Sequence, residues 1–299
     1  MTATNKILII VTNSDLFEKV GYRTGLWLSE LVQFWDVAEE AGYKMDIASP
    51  SGGKIPLDPG SLLITEIGDA VGLKGSLSRR YEDKAFMSLL DNTLKVSDVN
   101  PAMYDAIYMA GGHGVMFDFP KSAPLAELTA RFYESGKIVS AACHGPCGLL
   151  EVKLSNGTYL VDGKEVTGFS WKEERLANRD EAVPFNLEEE LQKRGGRYSK
   201  AMMPFGSHVV EDGLLITAQN PKSTKNMGQA VVKKLKEQGL VSPYLRAFVV
   251  ARINPLRWVK EIPSAESVLK TMIERVNRFK TDKIRPQDLV RTGGAPDEE

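Results

Sequence analysis

The stretch IVSAACHGPCGLL at 138–150 decides the fold. An apolar, β-branched run of strand character meets Cys143 and His144, and a Gly-Pro pair then opens the next turn. A strand that ends in a tight turn with a nucleophile at its tip is the geometry of the nucleophile elbow. It belongs to sheets of parallel strands, whose carboxyl ends carry the ligands. The turn also predicts a following helix, whose N-terminal N–H groups would favour a thiolate and hold a developing oxyanion.

Working outward, short apolar runs alternate with longer helical patterns. KILIIVT (6–12), KMDIAS (44–49), YDAIYMAGG (104–112), GKIVSAA (136–142) and GLLITAQNP (213–221) read as buried strands. Between them, GLWLSELVQFWDVAEEAG (25–42), EDKAFMSLLDN (82–92) and APLAELTARFYESG (123–136) have helical spacing and end near glycine or asparagine. This alternation predicts an α/β, doubly wound, mostly parallel sheet with helices on both faces. A helix is expected from Pro221 with Asn220 as its N-cap. LSNGTYLVDGKEVTGFS (154–170) carries Asn-Gly and Asp-Gly turns and predicts a β-hairpin, and 51–80, rich in Gly, Pro and Ser, predicts an inserted loop. Residues 1–240 are expected to form this domain. Residues 241–299 read as a largely helical C-terminal extension with a polar tail, including an amphipathic helix at 263–280.

The 299 residues are 42% hydrophobic and 26% charged with a formal net charge of -1, which gives no electrostatic reason to expect nucleic acid. Two cysteines do not make a disulfide framework and fit a reducing compartment. The five-residue apolar run near the N-terminus is too short for a signal segment or a membrane span. A cytoplasmic protein without a membrane partner is expected.

Two further features bear on Cys143. MAGGHGVMFDFP (109–120) leaves another strand end through Gly111, Gly112, His113 and Gly114, where glycines let backbone approach a ligand closely. In 25–42 the apolar positions Leu26, Trp27, Leu31, Phe34, Trp35 and Ala38 form one stripe, and Glu30 falls inside it. A carboxylate on a core-facing stripe is costly unless paired or protonated, and burial makes it a proton shuttle near neutral pH. Against these stand a zinc site from Cys143, His144, Cys147 and His113 or His208, a disulfide, and an inert buried cysteine. The spacing lacks paired CxxC or HxxxH, so no metal is expected. Cys147 reads as a small buried residue.

Together these residues resemble the ThiJ/PfpI superfamily, the class I glutamine-amidotransferase-like group with a flavodoxin-like fold. AACHGPCGLL is similar to its elbow and AGGHG to its oxyanion loop. YRTGLWLSEL (22–31), SPSGGKIPLDPGSL (49–62), VTGFSWKEE (166–174), VPFNLEEEL (183–191) and LITAQNPKS (215–223), in that order, resemble the branch of glyoxalase III enzymes and heat-inducible holding chaperones. The resemblance implies Cys143 as nucleophile, His144 beside it, Glu30 as acid/base, and Glu174, with Glu173 the neighbouring candidate, orienting His144. It implies substrate or oxyanion contacts at Gly111, Gly112 and His113, with the N–H groups of Gly112 and His144 forming the hole. The implied activity is a glutathione-independent, cofactor-free glyoxalase that turns methylglyoxal or a similar 2-oxoaldehyde into a 2-hydroxy acid. The alternatives are a holding chaperone with unfolded-protein clients, a deglycase, and more remotely a peptidase or amidase. A homodimer is implied. Trp171, Lys172 and Ala218 depart from the branch pattern.

Overall fold

The apolar run KILII forms β1 (Lys6–Ile10), an inner strand of the sheet, four of whose five side chains are buried. The computed structural model describes residues 4–62 and 75–240. The extension expected at 241–299, with its 263–280 helix, lies outside them, as do residues 63–74 of the expected insert. β1 is followed by α1 (Leu28–Glu40), β2 (Lys44–Ser49), α2 (Ser76–Glu82), α3 (Lys84–Ser88), β3 (Leu94–Lys95), β4 (Ala106–Met109), α4 (Val115–Asp118), α5 (Ala123–Glu134) and β5 (Ile138–Ala142). Then come β6 (Glu165–Val166), α6 (Trp171–Leu176), α7 (Leu187–Lys193), β7 (Arg197–Tyr198), β8 (Val209–Asp212), β9 (Leu215–Ala218) and α8 (Thr224–Leu240).

Seven strands make one sheet in the order β3-β2-β1-β4-β5-β9-β8, parallel throughout except for the β8–β9 pair. Without its two edge strands, the order is that of a flavodoxin-like doubly wound sheet, reversing direction between β1 and β4. Parallel strands are covered on both faces, so β4 and β5 are buried at every position. Crossovers of the usual right-handed sense would put α1 and α5 on opposite faces, because the strand order reverses between them, and α8 packs beside α1. At that contact Gly228 lets Val37 and Phe34 come close, since a Cβ there would already touch Val37 at 3.4 Å. Phe34 in turn stacks on Tyr108 of β4 with ring centroids 4.0 Å apart, worth about 1 kcal/mol beyond the area buried.

Four local expectations are corrected. The helix over 82–92 is broken at Asp83, whose carboxylate accepts the N–H groups of Ala85 and Phe86 and so starts α3 afresh. Part of the expected loop, 76–82, is the helix α2. The hairpin at 154–170 reduces to one antiparallel bridge, Lys153–Tyr159, because its two turns leave only residues 158–161 between them. Beyond the second turn, β6 pairs in parallel with β7 instead. Asn220 does not cap a helix with its side chain: a 3-10 turn at Pro221–Ser223 precedes α8, and the amide is used elsewhere. No helix among the described residues is long and apolar enough to cross a membrane.

Candidate active site

β1, β4 and β5 end side by side where the strand order reverses, and the turns leaving β4 and β5 meet the first turn of α1. Cys143 follows β5 directly and has φ 57°, a left-handed conformation that costs a residue with a Cβ free energy. The strain is held from both sides: its N–H donates to the Ala218 carbonyl at 2.8 Å, and its carbonyl accepts from Phe169 N–H at 2.7 Å. The five residues that follow, Gly145–Leu149, form a short 3-10 helix rather than the α-helix expected. Cys143 and Cys147 are both free and buried.

Glu30 is completely buried, as its place in the apolar stripe requires. Its Oε2 accepts the Gly111 N–H at 2.8 Å, while Oε1 has no hydrogen-bond partner among the described residues. Burial, only partly offset by that bond and by the Cys143 thiol, raises its pKa from 4.5 to about 8. Burial likewise pushes the Cys143 thiol up, and the adjacent Glu30 carboxyl adds to the effect. The low-pKa thiolate expected from a helix N-terminus is therefore corrected. In the resting site, Glu30 is protonated near neutral pH and Cys143 is a thiol.

His144 Nδ1 lies 3.3 Å from Cys143 Sγ, and its Nε2 lies 2.8 Å from Glu174 Oε2. The other oxygen of Glu174 is 2.7 Å from His113 Nε2, so one carboxylate serves two imidazoles whose ring centroids are 4.2 Å apart. Burial alone would raise Glu174, but the electrostatic pull of the His144 ring and the hydrogen bonds from both rings outweigh it and hold the carboxyl well below its usual range. An ionised carboxylate only accepts, so both Nε2 atoms carry protons. Burial and the neighbouring His113 lower the pKa of His144, leaving its Nδ1 free to accept from the thiol. Between Glu173 and Glu174 the geometry selects Glu174 as the partner of His144.

Glu173 has a different task. It is fully buried and collects five bonds, from Ser170 N–H, Ser170 Oγ, Phe205 N–H, Gln219 Nε2 and Asn220 Nδ2, at 2.7–3.0 Å. It fastens the N-terminus of α6 to the end of β9 and to the loop before β8. Nothing in helical phase or spacing distinguishes it from Glu174. Only the two consecutive carboxylates after a capping serine hinted that both were buried.

Gly111 meets Glu30 rather than the thiol, since its N–H is committed to Glu30 Oε2. The tight fit here leaves no room for a side chain: a Cβ on Gly111 would sit 2.8 Å from Glu30 Oε2 and 2.9 Å from the His144 nitrogen. Gly112 has φ 109°, and a Cβ there would strike the Gly25 carbonyl and come within 2.6 Å of the Trp27 nitrogen. The N–H groups of Gly112 and His144 donate to no group among the described residues. His113 is turned toward Glu174. Trp171 and Lys172 line an open surface groove with Arg175, Asn186, Glu188 and Lys200. His113, His144 and Glu174 are close enough to hold a cation, but their ligand atoms already satisfy one another by hydrogen bonds.

The sequence profile of the DJ-1/PfpI family matches residues 22–234, most of the chain. The chain belongs to the DJ-1/PfpI family. It is 33% identical over 259 residues to a probable glutathione-independent glyoxalase of Schizosaccharomyces pombe, covering 76% of this chain and 97% of that one. It is 28% identical over 242 residues to a glutathione-independent glyoxalase of Saccharomyces cerevisiae, covering 78% and 99%. Glyoxalase III from Candida albicans superposes with a TM-score of 0.68 at 26% identity, covering 78% of this chain and 98% of that one.

Proposed function

We propose that this DJ-1/PfpI member is a glutathione-independent glyoxalase in which Cys143 takes the place of the carrier thiol. The observation that carries this reading is a buried carboxyl group, Glu30, with a pKa near 8 beside a cysteine that has a neutral imidazole as proton acceptor. The relatives named glutathione-independent glyoxalases, which align over nearly their whole length, support it.

In the proposed reaction the thiol proton passes to His144 Nδ1 as sulfur adds to the aldehyde carbon of R–CO–CHO. Glu174 steadies the imidazolium that forms. This general-base route accommodates the high resting pKa of the thiol, since no thiolate need accumulate beforehand. The oxyanion is held by the N–H groups of Gly112 and His144. Glu30 first gives its proton to that oxyanion, making the hemithioacetal. The carboxylate so formed takes the proton from the former aldehyde carbon and returns it to the neighbouring carbon through an enediol, while the hydroxyl proton of the first carbon comes back to Glu30 as the thioester carbonyl forms. The first carbon is oxidised and the second reduced, with no external electron acceptor. The thioester that results is hydrolysed by water to the 2-hydroxy acid, releasing the thiol. The same reading takes the enzyme as a cytoplasmic homodimer acting on a small 2-oxoaldehyde. Light scattering on the full chain tests the dimer.

The test of the function is D-lactate formation from methylglyoxal by the full chain with no glutathione present. Activity is expected in the parent, with losses of about 10³-fold or more in Cys143→Ala and Glu30→Gln. Equal rates in the parent and Cys143→Ala would refute it.

A further inference from the structure

Among the described residues four non-glycine positions have left-handed backbone: Asn5, Cys143, Asn178 and Phe205. Asparagine tolerates that region, and Cys143 is the elbow, so Phe205 (φ 58°) is the unexplained case. It is also exposed, at 44%. A half-exposed phenyl ring on a strained backbone gains little for folding, and such outliers persist where the surroundings impose them.

The surroundings here are the supports of the active site. Phe205 N–H donates to Glu173 Oε1 at 2.7 Å, and the next carbonyl, Gly206, accepts from Asn220 Nδ2 at 2.8 Å. Asn220 is itself bonded to Glu173, the neighbour in sequence of Glu174. The buried network that carries Glu174 thus also dictates where the Phe205 ring goes. That ring meets Phe169 at a centroid distance of 6.2 Å. Phe169 lies over His144 at 4.6 Å and edge-on to His113 at 6.2 Å. Aromatic rings therefore run stepwise from the imidazole beside Cys143 out to solvent.

We infer that Phe205 and Phe169 form an aromatic subsite at the mouth of the Cys143 cluster that favours 2-oxoaldehydes with a bulky apolar or aryl group over methylglyoxal. The inference rests on the glyoxalase reading above and names its substrate class. With the aldehyde carbon at Cys143 Sγ, the R group of R–CO–CHO extends away from sulfur along the rings. A methyl group stops short of Phe205, whereas a phenyl group has ring edges and faces to meet.

The experiment compares kcat/KM for phenylglyoxal and methylglyoxal in the parent, Phe205→Gly and Phe205→Tyr. Glycine removes the ring and the strain together, so the thermal midpoint is expected to hold or rise, which separates this effect from misfolding. The phenylglyoxal to methylglyoxal ratio of kcat/KM is expected to fall about three- to tenfold in Phe205→Gly and to be kept in Phe205→Tyr. An unchanged ratio, or equal losses on both substrates, overturns the subsite. Should the parent turn over neither aldehyde, the glyoxalase reading falls. The subsite is then decided by whether acetophenone slows iodoacetamide labelling of Cys143 in the parent more than in Phe205→Gly, with equal slowing overturning it.

Discussion

Replacing Glu30 with glutamine should abolish turnover and yet stabilise the protein, by an amount that grows with pH. The folded carboxyl has a pKa of about 8 against 4.5 for the ordinary group. Below pH 4.5 both folded and unfolded forms hold the proton, and Glu30 contributes no pH dependence. Between the two values the unfolded chain releases a proton that the folded chain retains, so stability falls as pH rises, until the folded group also ionises near pH 8. At 1.36 kcal/mol per pH step the full interval amounts to about 4–5 kcal/mol, lost by the parent and not by a neutral side chain. Glutamine keeps an oxygen to accept the Gly111 N–H and places an amide where the acid O–H stood, so little else changes. In a domain of this size the gap corresponds to about 10 °C or more in the midpoint. Calorimetric or urea-melt comparison of the parent and Glu30→Gln at pH 5 and pH 8.5 measures it. The two proteins should differ least at pH 5 and most at pH 8.5, with the variant the more stable. A variant destabilised equally at both pH values would refute the assignment of a proton to buried Glu30.

The same proton shapes the rate profile. kcat/KM should decline above about pH 8 as Glu30 ionises, and hold its plateau to below the ordinary histidine value of 6.5, because burial and His113 keep His144 neutral; activity still climbing from pH 8 to 9.5 would contradict this. At position 143 glycine suits φ 57° and alanine does not, so Cys143→Gly should exceed Cys143→Ala in urea stability by about 1 kcal/mol, and the reverse order would show the elbow to be unstrained. Glu173→Gln leaves one acceptor oxygen for five donors, and should lose about 3 kcal/mol or more of stability. A loss under about 1 kcal/mol in a denaturant titration would deny Glu173 its role as fastener.

The parts of the fold readable from sequence are those governed by local pattern. Buried parallel strands announce themselves as continuous apolar runs, so β1, β4, β5 and β9 fall inside the stretches that read as strands. Glu30 was visible because a helix of 3.6 residues per turn makes one polar residue on an apolar stripe conspicuous. What stayed hidden depends on contacts distant in sequence. Leu26, inside the expected helix over 25–42, bridges to Leu57, so that helix begins only at Leu28. β6 finds its partner over thirty residues away. Glu174 and Glu173 sit in the same capped turn, and which one faces His144 is fixed by where Gln219, Asn220 and Phe205 arrive from later in the chain. The pKa of Cys143 departs from the expectation because the turn leads into a short 3-10 helix rather than a full helix dipole, and burial beside Glu30 raises the thiol.

The close seating of Gly112 on Gly25 and Trp27 has a consequence for descent and for engineering. The segment that delivers Glu30 and the turn that carries Gly112 are moulded against each other with no space for even one methyl carbon. Neither can be traded alone. A chimera of two relatives with its crossover between residues 30 and 110 would join halves shaped against different partners, whereas exchanging 22–31 and 109–115 as a pair keeps the mould and its cast together.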